Sequence, residues 1–125
     1  MDEKKAYLKE MAQIRGFVMD HHKVLVAEDM PFLRALNEFV AVSQNRERGL
    51  DRKTKEFVMI AALTALGAMK NHIKAHIEVA KKEGATKEDL LEVLEILVLM
   101  CGAPKFMMGY EAWKECFEVQ RVEVD

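Results

Sequence analysis

Residues 53–104 set the fold of this chain, and they read KTKEFVMIAALTALGAMKNHIKAHIEVAKKEGATKEDLLEVLEILVLMCGAP. Gly67 and Gly84 divide the stretch into three segments, as glycines do when they follow the last turn of a helix. The first and third segments are apolar on nearly every side, from Phe57 to Leu66 and from Leu90 to Met100. Since such a helix must be covered by protein, the pattern predicts two buried helices with an amphipathic one between them.

Polar residues at the predicted helix ends support these boundaries. Asp51 is placed as the N-cap of the first helix, and Thr86 with Asp89 forms a capping-box-like pattern at the start of the third. The middle helix is predicted from about Met69 to Glu83. After Cys101-Gly102-Ala103, Pro104 suits the first turn of a further helix.

The rest of the chain also shows helical spacing. Residues 3–26 carry a loose apolar pattern, Asp29-Met30-Pro31 resembles a helix start, and an aromatic stripe runs over residues 106–117. The polar stretch at residues 43–49 predicts the first loop. We therefore expect an all-α fold of about six helices, in a single domain that covers residues 1–125.

Composition excludes several classes of protein. The chain has 125 residues, of which 50% are hydrophobic and 32% charged, and its net charge is −2. This composition has no excess of positive charge with which to bind nucleic acid or an anionic membrane. The longest uncharged run, Phe57 to Met69, has thirteen residues, whereas a membrane span needs about 20.

Location and assembly follow from the same features. The first ten residues, MDEKKAYLKE, lack the apolar core of a secretory signal, and two cysteines do not make a disulfide framework. We expect a cytoplasmic protein. Two apolar helices are more than so small a chain can cover, so we also expect a homo-oligomer.

The middle helix carries the most informative residues. His72 and His76 lie four positions apart, and so on one face; they share it with Met69 and Ile73, while the charged residues lie opposite. Burial favours the neutral imidazole, which suits a general base or a metal ligand. Two alternatives stay open: the rings are packed core histidines, or they are two ligands of a metal that needs further ligands elsewhere.

Glu56 is the other candidate. It shares a stripe with apolar residues of the first helix, which directs its carboxylate towards the interior. It can orient a histidine or move a proton, or it can simply pair with Arg52 four residues earlier. The basic run to which Arg52 belongs, residues 46–55, is interpreted as a solvated face.

The remaining candidates favour structural roles. Cys101 and Cys116 are interpreted as packed, unreactive thiols, since each lies next to apolar residues. His21 and His22 are adjacent, so one ring must face outward, and we place the pair at the surface. No nucleotide-binding or serine-hydrolase motif is present in the sequence, and no cofactor is expected.

Residues 53–104 resemble the carboxymuconolactone decarboxylase / alkylhydroperoxidase D-like family. The matching features are Lys53-Thr54-Lys55-Glu56 at the start of a buried helix, His76 eight residues before Gly84-Ala85-Thr86, and the ending Cys101-Gly102-Ala103-Pro104. The resemblance implies an all-α fold assembled as trimers or hexamers. It also implies a site around His76, often at a subunit contact.

The chain departs from the peroxidase branch of this family, whose pattern is Glu-x11-Cys-x2-Cys-x3-His. Aligned on His76, the positions of the two cysteines are occupied by Met69 and His72, and the spacing from Glu56 is one residue longer. Neither Met nor His forms a disulfide. The decarboxylase branch is closer, although it usually carries His-Glu where this chain has Asn71-His72.

The resemblance therefore implies a decarboxylase-like lyase that does acid/base chemistry on a small organic acid or lactone. Catalysis is assigned to His76, with His72 as its partner and Glu56 orienting them, and substrate binding to Asn71 and Met69. Two alternatives remain: a non-catalytic module that binds a small molecule or a metal, and an antioxidant activity of the alkylhydroperoxidase or peroxiredoxin type. The missing cysteine pair disfavours the second.

Overall fold

The computed structural model describes residues 2–124, and every regular element among them is helical. The seven α-helices and one π-helix are, in chain order, α1 (Glu3–Arg15), α2 (Asp20–Glu28), α3 (Met30–Val40), the π-helix (Ala41–Asn45), α4 (Arg52–Leu66), α5 (Lys70–Lys82), α6 (Lys87–Cys101) and α7 (Ala103–Cys116). The all-α prediction is confirmed, with one α-helix more than expected. None of the helices described is long and apolar enough to cross a membrane.

The chain divides into two compact units, one up to Arg48 and one from Gly49 onward. The first unit contains α1 to α3 and the π-helix, around a small core of Met11, Val26 and Leu33. The second contains α4 to α7 around a larger core. Whether both form one domain over residues 1–125 stays a prediction.

The first unit departs from expectation at three places. The apolar pattern over residues 3–26, counted as one of the six expected helices, forms two, because Gly16 ends α1 with a φ of 90°, a conformation that glycine adopts without strain. The loop predicted for residues 43–49 is confirmed only from residue 46 onward, since residues 43–45 belong to the π-helix that continues directly from α3. His22 is buried rather than at the surface, because its Nδ1 accepts a hydrogen bond from the Met19 backbone N–H (3.0 Å) and caps α2.

The predicted boundaries of the second unit are confirmed. Asp51 caps α4 by accepting a hydrogen bond from the Thr54 backbone N–H at 2.7 Å. Thr86 and Asp89 each accept from the other's backbone N–H at 3.0 Å, which completes the capping box of α6. Gly67 ends α4 with a φ of 75°. These contacts fix where each helix starts, and therefore which residues share a face.

The core of the second unit is formed by one side of each apolar helix. Ile60 of α4, Ile73 of α5 and Leu94 of α6 are fully buried. The opposite sides of α4 and α6 are not covered in the described chain: Leu66 is 80% exposed and Leu99 is 88% exposed. The two apolar helices are thus only half covered, and the fully buried helices that the sequence predicted do not form within one chain.

Candidate functional site

Glu56 and His76 meet inside the second unit. Glu56 lies in the second turn of α4, His76 lies in the middle of α5, and one carboxylate oxygen of Glu56, Oε2, is 2.7 Å from Nδ1 of His76. Glu56 is 1% exposed and His76 is 9% exposed. A buried carboxylate is costly unless it is paired, so this contact is a structural requirement as well as a chemical feature.

The contact sets the tautomer of His76. An ionised carboxylate only accepts hydrogen bonds, so Nδ1 must carry the proton that it donates to Glu56. In the neutral ring the lone pair then lies on Nε2, at the far side of the imidazole. This arrangement is one that can serve acid/base chemistry, since a carboxylate beside Nδ1 stabilises an imidazolium formed by proton uptake at Nε2.

Arg52 holds the other oxygen of Glu56. Its Nε donates to Oε1 at 3.1 Å, from one helical turn earlier on α4. Both interpretations of Glu56 that the sequence left open are therefore met: it pairs with Arg52 and it orients a histidine. The prediction that the basic run at residues 46–55 is a solvated face is wrong for Arg52. The sequence signal for its role was its position four residues before a buried Glu.

His72 lies beside His76 on α5. The ring centroids are 5.3 Å apart and the ring planes are tilted by 42°. His72 is only half-buried, so the two imidazoles run from the interior of the unit towards its surface. Within residues 2–124, no group of three or more His, Cys, Asp or Glu side chains is arranged to hold a metal ion.

The two predicted substrate-binding residues lie at the start of α5. Met69 is its N-cap residue, Asn71 is in its first turn, and both side chains are exposed. They share this end of the helix with His72, one residue beyond Asn71. Their role in binding stays a prediction.

The two cysteines are not part of this arrangement. Cys116 is buried near the end of α7, and burial, together with Glu78, raises the pKa of its thiol to about 12. Such a thiol is almost entirely protonated at neutral pH and is a poor nucleophile. The Cys101 thiol donates to the Leu97 carbonyl, 3.1 Å away within α6. The interpretation of Cys116 as a packed thiol is confirmed.

Replacing Glu56 with Ala should lower the free energy of unfolding by about 1–3 kcal/mol, because the buried Nδ1–H of His76 then loses its acceptor. Glu56→Gln should cost less, since the amide oxygen still accepts. Urea denaturation of each variant measures the change. Glu83→Ala is the matched control, because Glu83 is an exposed glutamate at the end of α5, and it should unfold close to wild type. A Glu56→Ala variant as stable as Glu83→Ala would contradict this account of the pair.

Comparison with known proteins gives one match. The model of the carboxymuconolactone decarboxylase family matches residues 31–115. No curated protein and no solved structure matches the chain. The family match covers more than half of the sequence and includes all of α4, α5 and α6, and with them Glu56, His72 and His76. The chain therefore belongs to the carboxymuconolactone decarboxylase family.

Proposed function

We propose that this protein is an enzyme that carries out acid/base chemistry on a small organic acid or lactone, either decarboxylation or proton transfer next to a carbonyl group. The observation that carries the proposal is the buried contact between Glu56 and His76. A carboxylate and an imidazole can be paired for stability alone. Here the pair leads to a second histidine that reaches the surface, as a proton path between a buried base and a substrate requires.

Each residue has a distinct role in this proposal. Nε2 of His76 takes or gives the proton, Glu56 fixes the ring and stabilises its charged form, and Arg52 holds the carboxylate in place. His72 anchors the substrate or passes the proton on. A developing enolate needs a hydrogen-bond donor at its oxygen, and protonated His72 or the amide of Asn71 supplies one.

In decarboxylation, the bond between the substrate carbon and its carboxylate breaks and CO2 leaves. The electron pair of that bond passes into the adjacent carbonyl and forms an enolate. His76 as the imidazolium then gives its Nε2 proton to the carbon, and the ring returns to the neutral form. In this scheme Met69 provides an apolar wall at the entrance. The expected setting is the cytoplasm, where both thiols stay reduced.

A thiol peroxidase is a poor alternative for this chain. Its chemistry requires a reactive thiolate and a second cysteine to resolve the intermediate. The corresponding family positions carry Met69 and His72, and the raised pKa of Cys116 keeps that thiol protonated. An acid/base reaction uses the residues that the chain does have.

Replacing His76 with Ala should reduce turnover by about 100-fold or more, the usual contribution of a general base. The assay follows CO2 release or lactone consumption over a panel of small lactones and oxo acids that includes carboxymuconolactone. Lys82→Ala is the control, since Lys82 is an exposed residue at the end of the same helix. Turnover that survives in His76→Ala would overturn the catalytic assignment. Failure of the wild type on the whole panel would count against an enzyme of this class.

We also propose that the protein self-associates through the uncovered apolar surfaces of α4 and α6, as a trimer or hexamer. Leu66, Leu99 and Met100 are large apolar residues with at least three-quarters of their surface exposed. Apolar surface of this extent is typical of protein interfaces, and self-association is the simplest way to cover it.

Leu99→Lys should reduce the mass measured by sedimentation equilibrium, because a charge buried at an apolar interface is not compensated. Glu83→Lys introduces the same side chain at an exposed polar position at the end of α5, outside the surfaces of α4 and α6, and should leave the mass unchanged. A wild-type protein that sediments as a monomer would contradict the proposal, as would a Leu99→Lys variant that keeps the wild-type mass.

A further inference from the structure

The first unit holds a pocket of its own. It has a volume of about 250 Å³ and is lined by residues of α1, α3 and the π-helix, among them Tyr7, Met11, Ile14, Arg15, Asn37 and Ala41. Pockets for drug-sized ligands begin at about 300 Å³, so this one suits a compact molecule. None of its residues belongs to the Glu56–His76 site, and nothing in the proposed function uses it.

Hydrogen bonds join three of the residues that line the pocket. Arg15 donates through Nη2 to Oδ1 of Asn37 at 2.6 Å, and Nδ2 of Asn37 donates to the Tyr7 hydroxyl oxygen at 2.8 Å. The Asn37 amide thus directs Oδ1 towards Arg15 and Nδ2 towards Tyr7, and the Tyr7 hydroxyl oxygen accepts the hydrogen bond from Asn37. A phenol carries one proton of its own. The Tyr7 hydroxyl can therefore also donate a hydrogen bond, and Tyr7 lines the pocket.

The charges in the pocket limit the kind of ligand. Burial lowers the pKa of the Arg15 guanidinium, which nevertheless remains cationic at neutral pH. Glu10 and Glu38 also line the pocket, and so does Arg34, whose guanidinium lies 4.8 Å from the centre of the Tyr7 ring and pairs with Glu3 at 3.3 Å. The lining therefore carries no excess of positive charge. A polyphosphate is therefore disfavoured, whereas a single accepting oxygen is matched by Tyr7 and Arg15.

The rest of the lining is mainly apolar, and part of its backbone is π-helical. Met11 is buried, and Ile14 remains 52% exposed although it is large and apolar. The π-helix that follows α3 contributes Ala41 and Asn45. Short π-helical turns are rare and occur often at functional sites. The small side chain of Ala41 leaves room at this wall.

We propose that this pocket binds a compact, mainly apolar molecule with one hydrogen-bond-accepting carbonyl or carboxylate oxygen. The oxygen accepts from the Tyr7 hydroxyl close to the positive charge of Arg15, and the apolar body lies against Met11 and Ile14. The site is independent of the chemistry proposed for His76.

Binding can be tested on the whole protein by two-dimensional amide NMR of deuterated samples, with benzoate, benzamide and benzylammonium as probes. Benzoate or benzamide should shift the amide signals of Ile14, Asn37 and Ala41, and benzylammonium should not. The comparison of benzoate with benzamide shows whether the carboxylate charge contributes. Tyr7→Phe should weaken binding about 2- to 10-fold, the worth of one hydrogen bond.

Two further variants keep the test decisive. Ala41→Leu fills the pocket and should abolish the shifts, while Tyr110→Phe makes the same change as Tyr7→Phe in the other unit and should leave binding unchanged. The amide spectra themselves show whether each variant is folded. Equal binding of benzylammonium, an absence of shifts at these residues with all three probes, or unchanged affinity in Tyr7→Phe would each overturn the proposal.

Discussion

A buried carboxylate needs partners for both of its oxygens, and this requirement organises the second unit. Glu56 is almost fully buried, and its two oxygens accept from Arg52 on the same helix and from His76 on the next one. Loss of either donor leaves part of a charge unpaired where water cannot replace the lost contact. One side chain thus sets the tautomer of His76 and adds a buried polar contact to the apolar packing of α5 against α4.

The helices that carry this pair are placed by local signals. Asp51 fixes the start of α4 and Gly67 its end, so Glu56 is directed inwards together with Ile60. The same apolar character that buries Glu56 leaves the far sides of α4 and α6 uncovered in a single chain. The stability of the site and the tendency to associate therefore have a common origin, in helices that are apolar on more sides than one unit can cover.

Patterns along the sequence predicted the features that depend on residues close together in the chain. Glycine and capping residues marked the ends of α4 to α6, and helical spacing showed that His72 and His76 share a face. The contact between Glu56 and His76 joins residues 20 positions apart, and it depends on how two helices pack, which spacing along one helix does not reveal. His22 was misplaced for a similar reason: its ring satisfies a backbone N–H, a contact that composition does not show.

The most direct test of this account is the tautomer of His76, measured by long-range proton–nitrogen correlation NMR on the folded protein at neutral pH. The account predicts a proton on Nδ1 and a lone pair on Nε2. It also predicts that Glu56→Gln shifts the balance towards the other tautomer, because a carboxamide can donate as well as accept. A wild-type His76 with its proton on Nε2 and a lone pair on Nδ1 would contradict the central claim.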